Sequence, residues 1–299
     1  MEHISTTLMH LVQQLQQYGT TLEVSSLQTI TVDCIKVVCR LVRPNQEWVN
    51  NYEFHGLHSA ITNAMEDNCG LSLEDLGSSI AFAANALNNA LVRRESIVHS
   101  EGDGSRCSYQ LPEPTSDGFA TETRHVSRLD CVELLSAAFF GFINRTQRGS
   151  RDMPKFAFDD LWEYDCHKWH TKNYVLVSVL LFFHTSSTTT YVSLQSEKLT
   201  ITRKAIGPVL TVPHDSVLRS PHILEEGIGI SDLSGEQSLL EDFANEYLGG
   251  AVLRGGGSQE ESMFIEYTEL MAIRYLTEKM LEFEAVEISN LKRFVTHNI

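Results

Sequence analysis

Glu260 and Glu261 are adjacent carboxylates set directly behind a glycine-rich stretch, and this is where the chain could do chemistry. Gly249-Gly250 and Gly255-Gly256-Gly257 precede them, after a short apolar run (Leu239, Leu240) and the polar Asp242 and Asn245. A strand, a glycine loop and a helix in that order would gather backbone N–H groups around a phosphate. The common nucleotide loops do not fit. A P-loop needs Lys after its last glycine, and neither cluster has one. A dinucleotide fingerprint through Gly255 and Gly257 needs glycine at 260, where Glu260 stands. Taken alone, the glycines are equally consistent with a plain surface turn, because glycine merely permits unusual backbone angles.

The glutamates add chemistry. Ser258 can cap the following helix, with Glu261 three residues on as the other half of a capping box, which is a structural use of Glu261. Successive helical residues diverge by about 100°, so the pair cannot flank one bond as the two acids of an ordinary glycosidase do. It could hold neighbouring hydroxyls of one sugar, one carboxylate binding and the other moving a proton. The helix dipole favours the ionised forms, while mutual repulsion raises one of the two pKa values.

Asp242-Phe243-Ala244-Asn245, then Gly249-Gly250-Ala251, then Gln259-Glu260-Glu261 after a short spacer together resemble the signature of the poly(ADP-ribose) glycohydrolases. Weaker similarity extends upstream to about Leu129, through Leu134 to Phe140, and downstream through Glu269, Leu270, Arg274 and Tyr275. Residues 1–125 add little to it.

The resemblance implies hydrolysis of ribose–ribose bonds in poly(ADP-ribose), with release of ADP-ribose and no cofactor or metal. Glu261 would protonate the leaving ribose hydroxyl and then activate water. Glu260 would hold ribose hydroxyls, Asn245 would orient the substrate or the glutamate loop, and Asp242 would anchor that loop. Gln259 and the Gly249-Gly250 backbone would face the ADP-ribose. Asp232 is the candidate for an acidic adenine contact. Arg254 either meets a phosphate or is a solvated loop tip. Replacing Glu261 by Gln is expected to stop turnover while keeping the ligand bound. Two departures stand out. Ala251 occupies the third signature glycine and would distort the loop if that position were left-handed. The resemblance also implies more strands and a second phosphate loop beyond the helix, whereas the sequence stops at Ile299. A non-catalytic ADP-ribose-binding or degenerate macrodomain is the alternative, and a helical interaction protein with an enzyme-like loop is the third reading.

Composition bounds these readings. With 23 basic and 39 acidic residues the formal net charge is −16. That argues against direct DNA binding, which needs Lys and Arg to displace counterions. The expected partners are poly(ADP-ribose) or ADP-ribosylated proteins. Six cysteines (Cys34, Cys39, Cys69, Cys107, Cys131, Cys166) lack Cys-x-x-Cys spacing and read as reduced thiols of an intracellular protein. Met1-Glu2-His3 opens no secretory signal, so nucleus or cytoplasm is expected. The longest apolar run, Tyr174–Phe183, is too short to span a bilayer. His55 with His58, and Cys166-His167-x-x-His170, lack further metal ligands at useful spacing and read as packed or surface side chains.

The elements that must position the glutamates follow from periodicity. Residues 5–18 and 72–97 read as helices, and 27–43 is ambiguous. Ser127-Arg128-Leu129-Asp130 reads as a capped helix start ahead of Cys131–Ile143. Tyr174–Phe183, Tyr191–Leu194, Leu199–Ile206, Val209–Val212 and Ala285–Ile288 read as strands. Gln259–Phe283 reads as helix with a break near Thr268. The expected fold is α/β, a macrodomain-like mixed sheet with flanking helices preceded by a helical accessory region. The expected divisions are a helical region at 1–98, a linker at 99–125, a helical accessory segment at 126–172 and a macrodomain-like catalytic core at 173–299.

Overall fold

The computed structural model describes residues 2–18, 23–42, 53–66, 69–93, 119–143, 158–163, 170–206 and 239–295. The helices among them are α1 (Glu2–Tyr18), α2 (Val24–Val42), α3 (His55–Glu66), α4 (Leu73–Arg93), α5 (Arg128–Phe139), α6 (Asp159–Glu163), α7 (His170–Ser187), α8 (Tyr191–Ser196), α9 (Gln259–Glu266) and α10 (Glu269–Leu276). The strands β1 (Phe119–Ser127), β2 (Lys198–Ile206) and β3 (Glu284–Ser289) form an antiparallel sheet in the order β1-β2-β3. Its register sets Phe119 against Ile206, Ser127 against Lys198 and Thr200 against Ser289. The molecule is thus α/β, with helices flanking the sheet.

Two helices carry the core. In α5 the whole span from Cys131 to Phe139 is buried, and α7 buries Val175 to Leu180 together with Phe182 and Phe183. Leu8, Ile35, Leu57 and Leu87 of α1–α4 join them in one continuous hydrophobic cluster, so the helices of 1–98 are not a separate core. α7 packs against α3, α4, α9 and the 3-10 turn Val252–Arg254, and so forms the floor beneath the glycine loop.

Several sequence expectations need correcting. Tyr174–Phe183 is part of helix α7, not a strand. A helix buried on every side shows no polar stripe, so its apolar run imitates a buried strand. Tyr191–Leu194 lies in the helix α8, capped by Thr190, whose hydroxyl accepts from the Ser193 N–H at 3.2 Å. The linker expected over 99–125 ends by Phe119, where β1 begins. The division placed at 172/173 falls inside α7. Leu239 and Leu240 form no strand. Val209–Val212, Tyr164–Trp169 and Asp232 lie outside the described residues. The capped start of α5, the strands β2 and β3, and the break at Tyr267–Thr268 match the expectations. At the start of α5, Ser127 donates its N–H to Asp130 at 2.8 Å and receives the Asp130 N–H on its hydroxyl at 3.1 Å. Among the described residues no helix is long and apolar enough to cross a membrane.

Candidate active site

Ser258 opens α9 in extended backbone, at φ −85° and ψ −177°. The Glu261 carboxylate turns back on it, accepting the Ser258 N–H at 2.7 Å and the Ser258 hydroxyl on Oε2. Its other oxygen accepts the Ala251 N–H at 2.9 Å. Glu260 reaches further back along the loop. Its Oε1 accepts from the Gly249 N–H at 2.6 Å and its Oε2 from the Asn245 N–H at 3.1 Å. Both side chains are buried, at 4% and 5% exposure. The glycine loop is therefore wrapped around the two carboxylates by its own backbone donors. This explains why 239–245 forms no strand: the N–H groups of Phe243 and Asn245 are taken by the side chains of Gln259 and Glu260.

Gly250 is where the two glutamates converge. A Cβ on this residue would lie 2.6 Å from an oxygen of Glu260 and 2.6 Å from an oxygen of Glu261, on a backbone of φ +44°. Only glycine fits both the angle and the space. Ala251 has φ −99°, an ordinary right-handed value, so the alanine in place of the third glycine distorts nothing. The chain regains a left-handed residue at Gly255, with φ +86°.

The electrostatics separate the carboxylates. Burial pushes the Glu260 carboxyl up, more than the N–H bonds from Asn245 and Gly249 pull it down. Glu261 is also pushed up by burial, but the Ser258 hydroxyl and the N–H groups of Ala251 and Ser258 outweigh that and hold it low. Asp242 is pushed up to about 6, first by burial and then by the charges of Glu260 and Glu261. Its Oδ1 is buried without a hydrogen-bond partner among the described residues. The site is therefore a cluster of three carboxylates with unequal proton affinities, the arrangement that lets one acid hold a proton while its neighbour stays ionised.

The other sequence candidates fall as follows. Gln259 braces the loop: its amide donates to the Glu241 carbonyl at 2.8 Å and accepts from the Phe243 N–H at 3.1 Å. Asn245 is exposed and contributes its backbone to Glu260. Arg254 is exposed on the 3-10 turn. Gly249 and Gly250 are both left-handed, at φ +81° and +44°. The sequence reading missed Arg274 as a site residue. This buried arginine of α10 donates from Nη1 to the Gly250 carbonyl at 3.1 Å. A shallow groove lined by Ala244, Asn245, Lys279, Met280, Glu282 and Glu284 runs along the outer side of the loop.

Cys34, Cys39 and Cys131 are buried and Cys69 is partly buried. Among the described residues no group of His, Cys, Asp and Glu is arranged to hold a metal.

Residues 218–298 match the family model described as poly(ADP-ribose) glycohydrolase, macro domain fold. Over 47 residues the chain is 51% identical to poly(ADP-ribose) glycohydrolase 1 of Caenorhabditis elegans. That stretch is 16% of this chain and 6% of that protein, so the match spans a small part of the relative. The segment 218–298, which holds the clasped glutamates, is thus similar to the poly(ADP-ribose) glycohydrolases, whose family model describes a macro domain fold.

Proposed function

We propose that the chain hydrolyses the ribose–ribose bonds of poly(ADP-ribose) and releases ADP-ribose. One observation carries this reading: two adjacent buried carboxylates are clasped to a glycine loop beside a third carboxylate, inside the segment that matches the family.

Glu260 holds ribose hydroxyls and Glu261 moves the proton. In the free chain Asp242 and Glu260 hold a proton more readily than Glu261, because burial raises the first two and hydrogen bonds hold Glu261 low. An entering diphosphate adds negative charge to a buried site and raises all three carboxylates. That brings Glu261 to the protonated form it needs to donate to the leaving ribose oxygen. The three groups titrate as one coupled system. Once the bond breaks, the ionised Glu261 takes a proton from water as the water attacks the sugar. The negative diphosphate stabilises the positive charge that develops on the ribose. Arg254, exposed on the loop, is the residue this reading assigns to a phosphate.

A second reading, a non-catalytic ADP-ribose binder, is favoured by one observation: both oxygens of Glu261 are already committed to N–H donors. Calorimetric titration with ADP-ribose, followed by incubation with labelled poly(ADP-ribose), separates the two. Binding with release of ADP-ribose supports the hydrolase. Binding without release supports the reader, and absence of binding overturns both.

A further inference from the structure

We propose that Arg274 is a positioning residue for the carboxylate pair, acting through the single peptide unit that joins Gly250 to Ala251. The inference rests on the glycohydrolase reading and adds to it a residue that touches neither glutamate by hydrogen bond.

The peptide unit is gripped at both ends. Its carbonyl, on Gly250, accepts from Arg274 Nη1 at 3.1 Å. Its N–H, on Ala251, donates to Glu261 Oε1 at 2.9 Å. A peptide unit is planar, so fixing the carbonyl direction fixes the N–H direction. Gly249 and Gly250 are consecutive left-handed residues, which glycine adopts without strain but which take an outside contact to be held in one arrangement. Arg274 supplies it from below: a Cβ on Gly249 would sit 3.0 Å from Arg274 Nη1, so the guanidinium lies directly against the turn.

Arg274 is an expensive way to hold a loop. It is 7% exposed, and its Nε has no hydrogen-bond partner among the described residues. Leaving a charged donor buried and unpaired costs free energy that a neutral side chain would not. A positive charge at this position does something a neutral one would not, because the opposite charges of Glu260 and Glu261 act on it. Arg254 acts on it with like charge. Burial lowers the Arg274 guanidinium to about 10, still well above neutrality, so it stays charged at working pH. In return it draws the Glu260 carboxyl down against the push of burial. The guanidinium thus has two effects on the pair, one geometric through the peptide and one electrostatic.

α10 delivers Arg274 rigidly. Its first residue, Glu269, is fully buried, paired with Arg128 Nε at 2.6 Å and accepting the Lys292 N–H at 3.0 Å. The helix start is therefore tied to α5 and to the segment after β3.

The test uses Arg274→Lys and Arg274→Met in the full chain, each checked for folding by thermal melting. The first readout needs no activity. In a chain labelled with carboxyl-13C glutamate, the titration of Glu260 and Glu261 is followed by NMR. Arg274→Met should move the Glu260 midpoint to higher pH, and Arg274→Lys should move it less, because it keeps the charge. The second readout is release of ADP-ribose. Arg274→Met should lower kcat by about 100-fold with a smaller change in KM, and Arg274→Lys should recover part of that loss. Folded variants with unchanged glutamate titrations and unchanged kcat would overturn the proposal. If Arg274→Met does not fold, the Lys variant decides: a titration and kcat identical to the parent's count against the role. A parent chain that releases no ADP-ribose would defeat the glycohydrolase reading alone, because the NMR titration still reports on Arg274.

Discussion

The chain buries carboxylates in two neighbouring places and treats them differently. Glu269, at the start of α10, is fully buried and faces cations: Arg128 at 2.6 Å, which is itself bonded to Glu197, with Lys292 bonded to Glu197 at 2.7 Å. Glu260 and Glu261, one short helix earlier, are held by the N–H groups of Asn245, Gly249, Ala251 and Ser258. Burial pushes both Glu260 and Glu269 up. The partners set the difference. An ion-paired carboxylate fastens elements together, because removing either partner leaves the other buried and unpaired. A carboxylate held by the backbone donors of a loop can exchange a proton and can yield its donors to a ligand. The first arrangement is a fastener and the second is suited to chemistry.

Substitutions can break or sharpen this comparison. Glu261→Gln should have the largest effect on turnover, lowering release of ADP-ribose by about 1,000-fold. It should also loosen the loop, contrary to the expectation from sequence that binding is preserved. Both Glu261 oxygens accept N–H groups, and an amide would set its NH2 against one of them. ADP-ribose titration of the variant checks this. Glu269→Gln should do the reverse, costing about 3 kcal/mol of stability by leaving Arg128 short of a partner. Urea unfolding at matched pH measures it. Gly250→Ala should lower release by about 100-fold, because its methyl would collide with both carboxylates. A loss under threefold would show that the clasp is not needed.

Asp242→Asn tests the shared proton through stability. The Asp242 pKa rises on folding, so the native chain keeps a proton that the unfolded chain releases between about pH 4 and about 6. The contribution of Asp242 to stability is therefore greatest below that window, is lost as pH rises through it, and stays lost above it. The melting temperature of the Asn variant should gain on the parent from pH 4 to 6 and run parallel above. A constant difference across the range would remove Asp242 from the cluster. Arg254→Ala should have the smallest effect, weakening ADP-ribose binding by about 1 kcal/mol, measured by calorimetry.

The local half of the site was readable from the chain. Ser258 and Glu261 are three residues apart, and the capping box they form is a rule of local spacing. The break after α9 was equally local. The distant half was not readable. Nothing in the spacing of Gly250 and Arg274 says that one holds the carbonyl of the other, because that contact depends on how α10 folds back beneath the loop. The buried Asp242 oxygen, without a hydrogen-bond partner among the described residues, depends likewise on how the loop folds. In the fold, α7 was misread because a helix buried on all faces has no amphipathic signature. β1 was missed because Thr121, Glu122, Thr123 and Arg124 look like loop residues until β2 lies beside them, where Thr123 meets the Thr202 hydroxyl at 3.3 Å.

The most direct measurement is release of ADP-ribose from labelled poly(ADP-ribose) by the parent chain, Glu261→Gln and Glu269→Gln side by side, at a temperature where all three are folded. The account predicts release by the parent and by Glu269→Gln, and none above background by Glu261→Gln. Equal release by the parent and Glu261→Gln, or no release by a parent that binds ADP-ribose, would contradict it.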